Sequence, residues 1–482
     1  MRDPTLNQLF YSTLSSTPLV TVYVPCRNYG RFLTRCVESI LNQLYTEWEL
    51  ILVDEASGDD TASISEQLRQ RLPSRISVIR NPEPLGLQRL ANRVLGMANG
   101  KYMMRLDADD WLDEGALLLM VSKLEATPDA GLVYGNYFYT DADGAVLGVE
   151  RRQRLGTEDR AGQLPPHGAC TLFRTRALKA VGGYSEDIDA QDGWELWYKL
   201  VNRVGAVSLD VPVFYYRQHD TSLSRDHQRL LTARSRIFAR IGNGLEGGYK
   251  PTCAAVIPVR ESYPGFEGVP YREYEGRSLL EIAIRSAAET SVITQVIVSS
   301  ESQSVLDFAA ALESEGRVPL HARVLRDTAG VRAPNLPIRD IMLHAGRFYK
   351  ELCGASADVV AFLSLHAVHR RAEHLEKAIN LLRITESDSV VSVQEEKEPM
   401  FCHGSEGLKL LNPGRFEDLA YDRERLYAFN GALLATWWEV LCQESLIGDK
   451  VAYIEMSPED SLQIKSKSML AAPTVRSDLT KI

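Results

Sequence analysis

The chain has no apolar run near the roughly 20 residues that a membrane-spanning helix requires; the stretch from Gly431 to Cys442 comes nearest and is far too short. Residues 1–16 lack the basic start and long apolar segment of a secretory leader. The seven cysteines are scattered, without metal-site or disulfide spacing, which is the usage expected of a reducing cytoplasm. Basic excess is missing as well: 64 acidic residues against 54 Lys and Arg leave a net charge of −10, which argues against nucleic acid as a partner. Neither a GxGxxG fingerprint nor a Gly-Lys-Ser/Thr phosphate loop is present, so neither a dinucleotide fold nor a P-loop is indicated.

What the chain does have is length, 482 residues, which implies two or three domains, and apolar content ample for real cores. Its most informative stretch is Met103-Met104-Arg105-Leu106-Asp107-Ala108-Asp109-Asp110, an apolar strand running into an Asp-x-Asp cluster. Crowded carboxylates at the end of a buried strand repel one another and lose hydration, so a neutralising cation is expected. Hard oxygen ligands suit Mg²⁺ or Mn²⁺, and such an ion commonly serves a phosphate. The alternative is a solvated Asp-rich loop capping a helix that starts near Trp111.

Upstream, Leu19–Val24 reads as a buried strand stopped by Pro25, and Cys26-Arg27-Asn28-Tyr29-Gly30 reads as a loop. Phe32, Leu33, Cys36, Val37, Ile40, Leu41 and Leu44 recur at helical spacing, and Glu49–Val53 is a second strand ending in Asp54-Glu55. Ligands of open parallel sheets bind beyond the carboxyl ends of the strands. Asn28, Asp54, Asp107 and Asp109 are therefore expected to face one crevice.

These residues resemble a known family. Val24-Pro25-Cys26-Arg27-Asn28-Tyr29 is similar to the Pro-x-x-Asn opening of inverting family-2 glycosyltransferases with the GT-A fold. Val53-Asp54-Glu55-Ala56-Ser57-Gly58-Asp59-Asp60-Thr61 resembles their Val-Asp-Asp-Gly-Ser-x-Asp-x-Thr, with Glu55 and Ala56 as departures that bear on the nucleotide pocket. Asn81 through Asp110 resembles the segment leading from a Gly-containing loop, through a helix carrying Asn92, to the Asp-x-Asp strand, and the likeness covers roughly residues 17–225. It implies an α/β, Rossmann-like nucleotide-diphospho-sugar transferase domain. Pro25, Asn28, Asp54 and Asp107 would then bind the nucleotide, and Asp109 would ligate Mn²⁺ or Mg²⁺ bridging the diphosphate.

The same resemblance extends to the acceptor side. Gly182-Gly183-Tyr184 followed by Gln191-Asp192-Gly193-Trp194-Glu195-Leu196 is similar to the family's Gly-Gly-Tyr turn and Glu-Asp-x-x-Leu. A sugar hydroxyl is a poor nucleophile, and a positioned carboxylate base contributes about 10²- to 10⁴-fold. Asp192 is expected to be that base, with Glu195 as rival because Gly193 offsets the match by one residue; helix capping is the other reading of Asp192. Tyr215-Tyr216-Arg217-Gln218-His219-Asp220-Thr221-Ser222 resembles the family's Tyr-Arg-x-His-x-x-Ser close, which implies a metal or diphosphate contact for His219. His167 and Trp194 fall on the acceptor side of the same pattern. The expected donor is a nucleoside-diphosphate sugar, and the expected acceptor is a carbohydrate, a lipid-linked sugar or a protein in surface polysaccharide or glycoconjugate synthesis. A lipid-linked acceptor would be met peripherally, at the inner face of the membrane.

A boundary is expected near 241–251, where glycine density, lost periodicity and Pro251 coincide, separating domains over 1–245 and 250–470 from a tail over 471–482. Beyond it the βα rhythm restarts, with strands at Cys253–Pro258, Thr294–Ser300, Asp358–Leu363 and Ser389–Val393 and helices at Ser278–Ala288 and Ala372–Leu382. This half resembles the cytidylyltransferases that make CMP-activated acidic sugars, through Ile257-Pro258-Val259-Arg260, Ser299-Ser300-Glu301-Ser302 and Asn430-Gly431-Ala432. Arg260 and Asn430 would line its pocket. Where that family has Gly-Gly-Ser-Lys, this chain has Glu261-Ser262-Tyr263-Pro264, and its metal-binding Asp-x-Asp is replaced by Gln463-Ile464-Lys465. Backbone amides cradle phosphate only where the chain can approach closely, so a degenerate domain is expected, serving as scaffold, homo-oligomer interface or ligand-binding module. Two further readings are a bifunctional enzyme that makes a CMP-sugar and a non-catalytic carbohydrate- or nucleotide-binding protein.

Overall fold

The computed structural model describes residues 18–152, 169–188, 192–219, 226–245, 249–326, 336–396, 398–404, 407–412, 426–443 and 445–470. The chain divides into two compact units, 1–233 with 397–424 and 234–396 with 425–482. The division falls inside a helix, His227–Asn243.

In the first unit, strands β1 (Val20–Cys26), β2 (Trp48–Glu55), β3 (Ile76–Asn81), β4 (Tyr102–Arg105), β5 (Trp111–Leu112), β6 (Leu132–Thr140), β7 (Val146–Glu150), β8 (Leu172–Arg174) and β9 (Ala206–Arg217) form one sheet. Its order is β3-β2-β1-β4-β8-β6-β9-β5, with β7 paired to β6. The first four strands are parallel, and β8 enters antiparallel beside β4. Helices α1 (Gly30–Leu41), α2 (Thr61–Arg71) and α3 (Leu87–Met97) connect the parallel strands, followed by α4 (Ala116–Ala126), α5 (Thr175–Ala180) and α6 (Asp192–Val204).

Both faces of the sheet are covered, which is why its strands read as continuous apolar runs. Val20, Val22 and Val24 pack with Leu33, Val37, Met104 and Leu117 on one side, whereas Tyr23, Ile51, Val53 and Met103 pack with Leu90, Val94 and Trp197 on the other. The strand expected to stop at Pro25 runs on to Cys26. Tyr23 O accepts from Leu106 N on the β4 side, and two residues later the missing N–H of Pro25 points the same way, past the end of β4. Trp111 begins no helix: Trp111-Leu112 pairs with Tyr215-Phe214, and the Trp111 and Tyr215 rings stack 5.0 Å apart. The helix after the Asp-rich turn starts at Ala116.

The second unit is wound in a related way. Its sheet comprises β10 (Cys253–Val259), β11 (Gln295–Ser300), β12 (Ala322–Leu325), β13 (Val359–Leu363), β14 (Ser389–Glu396), β15 (Leu426–Trp437) and β16 (Val451–Glu455). The order is β12-β11-β10-β13-β15-β14-β16, so four parallel strands again precede an antiparallel one. A helix over Leu279–Ala288 opens with Ser278 capping Glu281 N at 3.1 Å, and the helix over Ala372–Ile384 packs beside β14 and β16. The latter helix buries Lys377, and burial pushes its ammonium down to about 7, with the Arg234 charge adding to the effect.

Candidate active site

In both sheets the strand order reverses between the first parallel strand and the fourth, and in the first unit that switch point lies between β1 and β4. Loops diverge there and leave a crevice beyond the carboxyl ends. The β1–α1 loop carries Asn28, the β2–α2 loop follows Asp54, and the turn after β4 carries Asp107, Asp109 and Asp110.

The first two loops are locked together. Asn28 Oδ1 accepts Gly58 N at 2.8 Å, and Asn28 N donates to Ser57 Oγ at 3.0 Å. Asp54, buried at the end of β2, accepts Ser57 N at 3.0 Å through Oδ1. Asn28 and Ala56 both adopt left-handed backbone, with φ of 60° and 55°, a concentration of strain that marks a built loop pair rather than casual turns. Asp59 bridges to the start of α1, accepting Gly30 N at 3.0 Å and Thr61 Oγ1 at 2.5 Å. Burial raises its pKa, but the Thr61 and Gly30 hydrogen bonds outweigh that and hold the carboxyl below its ordinary value. Pro25 is buried beside this pair, and Asn28 is exposed.

Each acid of the Asp-rich turn has its own solution to the crowding. Asp107 Oδ1 lies 3.0 Å from Arg105 Nε. Asp109 Oδ2 lies 2.9 Å from His219 Nε2. Asp110 is buried; its Oδ1 accepts Arg217 N at 2.9 Å, and its Oδ2 meets no partner among the described residues. Burial, then the charges of Asp109 and Asp107, push the Asp110 carboxyl well above the ordinary range, while the Arg217 amide and charge pull the other way. Arg217 completes the frame: its Nε donates to Asp109 O at 2.8 Å, and its guanidinium lies over the rings of Phe32 and Trp111 at 4.6 and 4.7 Å. The protein's own groups thus relieve the repulsion that by itself suggested a cation.

The donor set nevertheless fits a hard divalent ion. An Asp109 carboxylate and a His219 imidazole face each other at hydrogen-bond distance, with Asp107 two residues away on the same turn. Among the described residues no three His, Cys, Asp or Glu side chains gather closely enough to hold a metal alone. Mg²⁺-type sites commonly have that character: one or two carboxylates, with the remaining positions filled by water and substrate phosphate.

On the opposite side of the sheet, α3 holds the Gly182–Tyr184 turn. Asn92 Nδ2 donates to Tyr184 O at 2.9 Å, and Asn92 Oδ1 accepts Tyr184 N at 2.8 Å. Gly183 sits at φ 70°, and a Cβ there would lie 2.5 Å from Asn92 Oδ1. Ser185 next donates to Glu195 Oε1 at 2.6 Å, and Lys199 Nζ lies 3.4 Å from the same oxygen. Glu195 is therefore buried within a structural triad, and Trp194 is buried beside it. Asp192 is the first residue of α6. His167 and Gln191 lie outside the described residues.

In the second unit Asn430 is occupied internally, accepting Ser392 Oγ at 2.6 Å and donating to Ser461 Oγ at 2.9 Å. Arg260 lies over the Tyr263 ring, and the Tyr263 ring packs edge-on to His366 at 5.1 Å. Glu261 accepts Ser302 Oγ at 2.7 Å. The buried Arg326 ties the ends of β10 and β11 together through Val259 O, Ser299 O and Glu301.

Comparison with known proteins gives the first unit its class: residues 21–182 match glycosyl transferase family 2. The chain is 26% identical to the chondroitin synthase of Escherichia coli over 189 residues, 39% of this chain and 27% of that one. It is 26% identical to the hyaluronan synthase of Pasteurella multocida over 195 residues, 39% of this chain and 19% of that one. Over 127 residues it is 33% identical to the glycosyltransferase GlyG of Streptococcus pneumoniae serotype 4, 26% of this chain and 42% of that one. The chain spans less than half the length of each of these three relatives. The part of the first unit that matches this family lies on its Rossmann-like α/β sheet. Among the described residues no helix is long and apolar enough to cross a membrane.

Proposed function

We propose that the chain is an inverting, metal-dependent GT-A glycosyltransferase that moves a sugar from a nucleoside diphosphate to a hydroxyl of a growing carbohydrate or glycoconjugate. The observation that carries this reading is the Asp109–His219 pair, closed at 2.9 Å across the switch point from the interlocked Asn28 and Asp54 loops. Asp54 is an acceptor-only group suited to a base N–H, and Pro25 and Asn28 shape the same recess. Asp109 and His219, with Asp107 near the ribose and diphosphate, would hold Mn²⁺ or Mg²⁺. Such an ion supplies charge stabilisation for the departing nucleoside diphosphate.

Asp192, at the start of α6, is the proposed base, removing the acceptor proton as the hydroxyl attacks the anomeric carbon in line. Glu195 is less suited to that task because Ser185 and Lys199 already engage it. Trp194 and His167 remain proposed acceptor-side residues. We read the second unit as a degenerate cytidylyltransferase-like domain serving as scaffold or self-association surface. Support comes from Asn430, whose polar atoms are spent internally, and from Tyr263 packed on His366 where close backbone approach would be needed. A cytoplasmic site of action, with peripheral contact to lipid-linked acceptors, fits this assignment.

The test is release of nucleoside diphosphate from UDP-glucose, UDP-N-acetylglucosamine, UDP-glucuronate and GDP-mannose, with and without Mn²⁺ and oligosaccharide acceptors. Metal-dependent turnover of one donor, abolished by Asp109→Asn, supports the reading. Turnover indifferent to chelation sinks the metal assignment, and tight Mn²⁺-dependent CTP binding that survives Asp109→Asn would instead favour a bifunctional enzyme.

A further inference from the structure

Glu55 stands where the family pattern has a shorter aspartate, and both of its oxygens are committed to a single neighbouring loop. Oε1 takes the side-chain amide of Asn81, the residue paired with Glu55 across β2 and β3. Oε2 accepts two backbone amides, Leu85 N at 2.8 Å and Gly86 N at 3.1 Å. Asn81 is fixed from its other side by Arg93 Nη1, 2.6 Å from its Oδ1. Glu55 as a whole is 6% exposed.

Three donors on one buried carboxylate form a charge-assisted clamp, and two of them are amides just before α3, where negative charge is favoured. The clamped loop, Asn81–Gly86, leaves the sheet one strand away from Asp54. It presents Leu85, 36% exposed, and Gly86 at φ 85°. Nothing lies within 4 Å of the position a Cβ on Gly86 would take, so this backbone borders open space rather than protein. An aspartate at position 55 would fall one methylene short of the Leu85 and Gly86 amides.

We propose that Glu55 is a positioning residue for the donor: it fixes the Asn81–Gly86 loop as a wall of the nucleoside recess and so sets affinity and base preference without touching the nucleotide. This rests on the reading of Asp54 as the base-contacting carboxylate. Because both Glu55 oxygens are engaged by that loop, its influence passes through the loop.

The experiment is calorimetric titration of the full chain with UDP, GDP, dTDP and CDP in Mn²⁺, for the native protein, Glu55→Asp and Leu85→Ala, with melting curves alongside. Glu55→Asp is expected to weaken the preferred nucleoside diphosphate at least tenfold and to narrow its margin over the others; in a turnover assay run beside the titration the loss falls on donor KM rather than kcat. Leu85→Ala, which leaves the clamp intact, is expected to weaken the same nucleotide at an unchanged melting temperature. Unaltered affinity and base preference in both variants would overturn the proposal. If Glu55→Asp fails to fold, Leu85→Ala decides alone. If the native protein binds none of the four, the donor-site reading itself fails and takes this inference with it.

Discussion

Replacing Gly183 by alanine sets two structural demands against each other, and their separation can be calculated. The residue sits at φ 70°, where a Cβ costs roughly 1–2 kcal/mol. The new Cβ would also lie 2.5 Å from Asn92 Oδ1, the atom that accepts Tyr184 N. Pushing the amide aside forfeits its two hydrogen bonds to Tyr184, each worth about 1 kcal/mol net, and disturbs a third, solvent-exposed one to Glu186 Oε1 that adds little. Gly183→Ala should therefore cost about 3–4 kcal/mol in all. Asn92→Ala alone should cost about 2 kcal/mol, by leaving Tyr184 N and O without that partner. In the double variant the obstruction has gone, so Gly183→Ala should add only the backbone term. The cycle then carries a coupling of about 2 kcal/mol, well above the few tenths expected of independent sites. Urea unfolding followed by tryptophan fluorescence measures it, and additive effects would refute the account of this turn. Each variant should also lower transfer more than donor binding, since the turn leads through Ser185 and Glu195 to α6.

Other outcomes follow from individual groups. Asp192→Asn should preserve nucleoside diphosphate binding while lowering turnover about 10²- to 10⁴-fold, and a Glu195→Gln variant that does this instead, with its stability intact, would reassign the base. Asp110→Asn should change the melting temperature little at neutral pH, because the amide oxygen still accepts Arg217 N and burial beside Asp109 and Asp107 disfavours the native carboxylate; a marked drop would show that the charged form is needed. Lys377→Met should raise stability at pH 7. The buried ammonium is pushed down to about 7, so the unfolded chain binds more protons between there and the ordinary lysine value, and native stability climbs with pH across that window. The gain from methionine, on the order of 4 kcal/mol at neutrality by the shift alone, should shrink as pH approaches 10; a gain independent of pH would place a charged lysine there.

The sheet of the first unit was legible because each buried strand is an apolar run that ends abruptly in polar loop residues. Val20–Cys26, Trp48–Glu55 and Tyr102–Arg105 lie where that pattern put strands, to within two residues at each end. The loops were legible as a set for the same reason, since parallel strands deliver their carboxyl ends to one edge. The family resemblance drew Asp109 and His219 toward one site, but what the residues could not announce were the direct hydrogen bonds between partners distant in sequence. The Asp109–His219 contact spans 110 positions, and Asp110 is satisfied by a backbone amide at Arg217. Charge repulsion alone pointed to a cation, whereas the fold sets an arginine, an imidazole and a backbone amide against the three acids. Glu55 read as an altered pocket residue, yet its carboxylate serves amides 30 and 31 residues on, a geometry with no sequence signature. Trp111 resembled a helix start because short strands carry no periodicity, and only its stacking on Tyr215 reveals the pairing.

The proposed donor site holds a nucleoside diphosphate at the switch point of the first unit through a metal on Asp109 and His219. Calorimetry of the full chain with UDP and with GDP, in Mn²⁺ and in chelator, for the native protein, Asp109→Asn and His219→Ala, tests it most directly. The native protein should bind one of them in a Mn²⁺-dependent way, and both variants should lose that dependence. Binding that ignores Mn²⁺, or survives both substitutions undiminished, would contradict it.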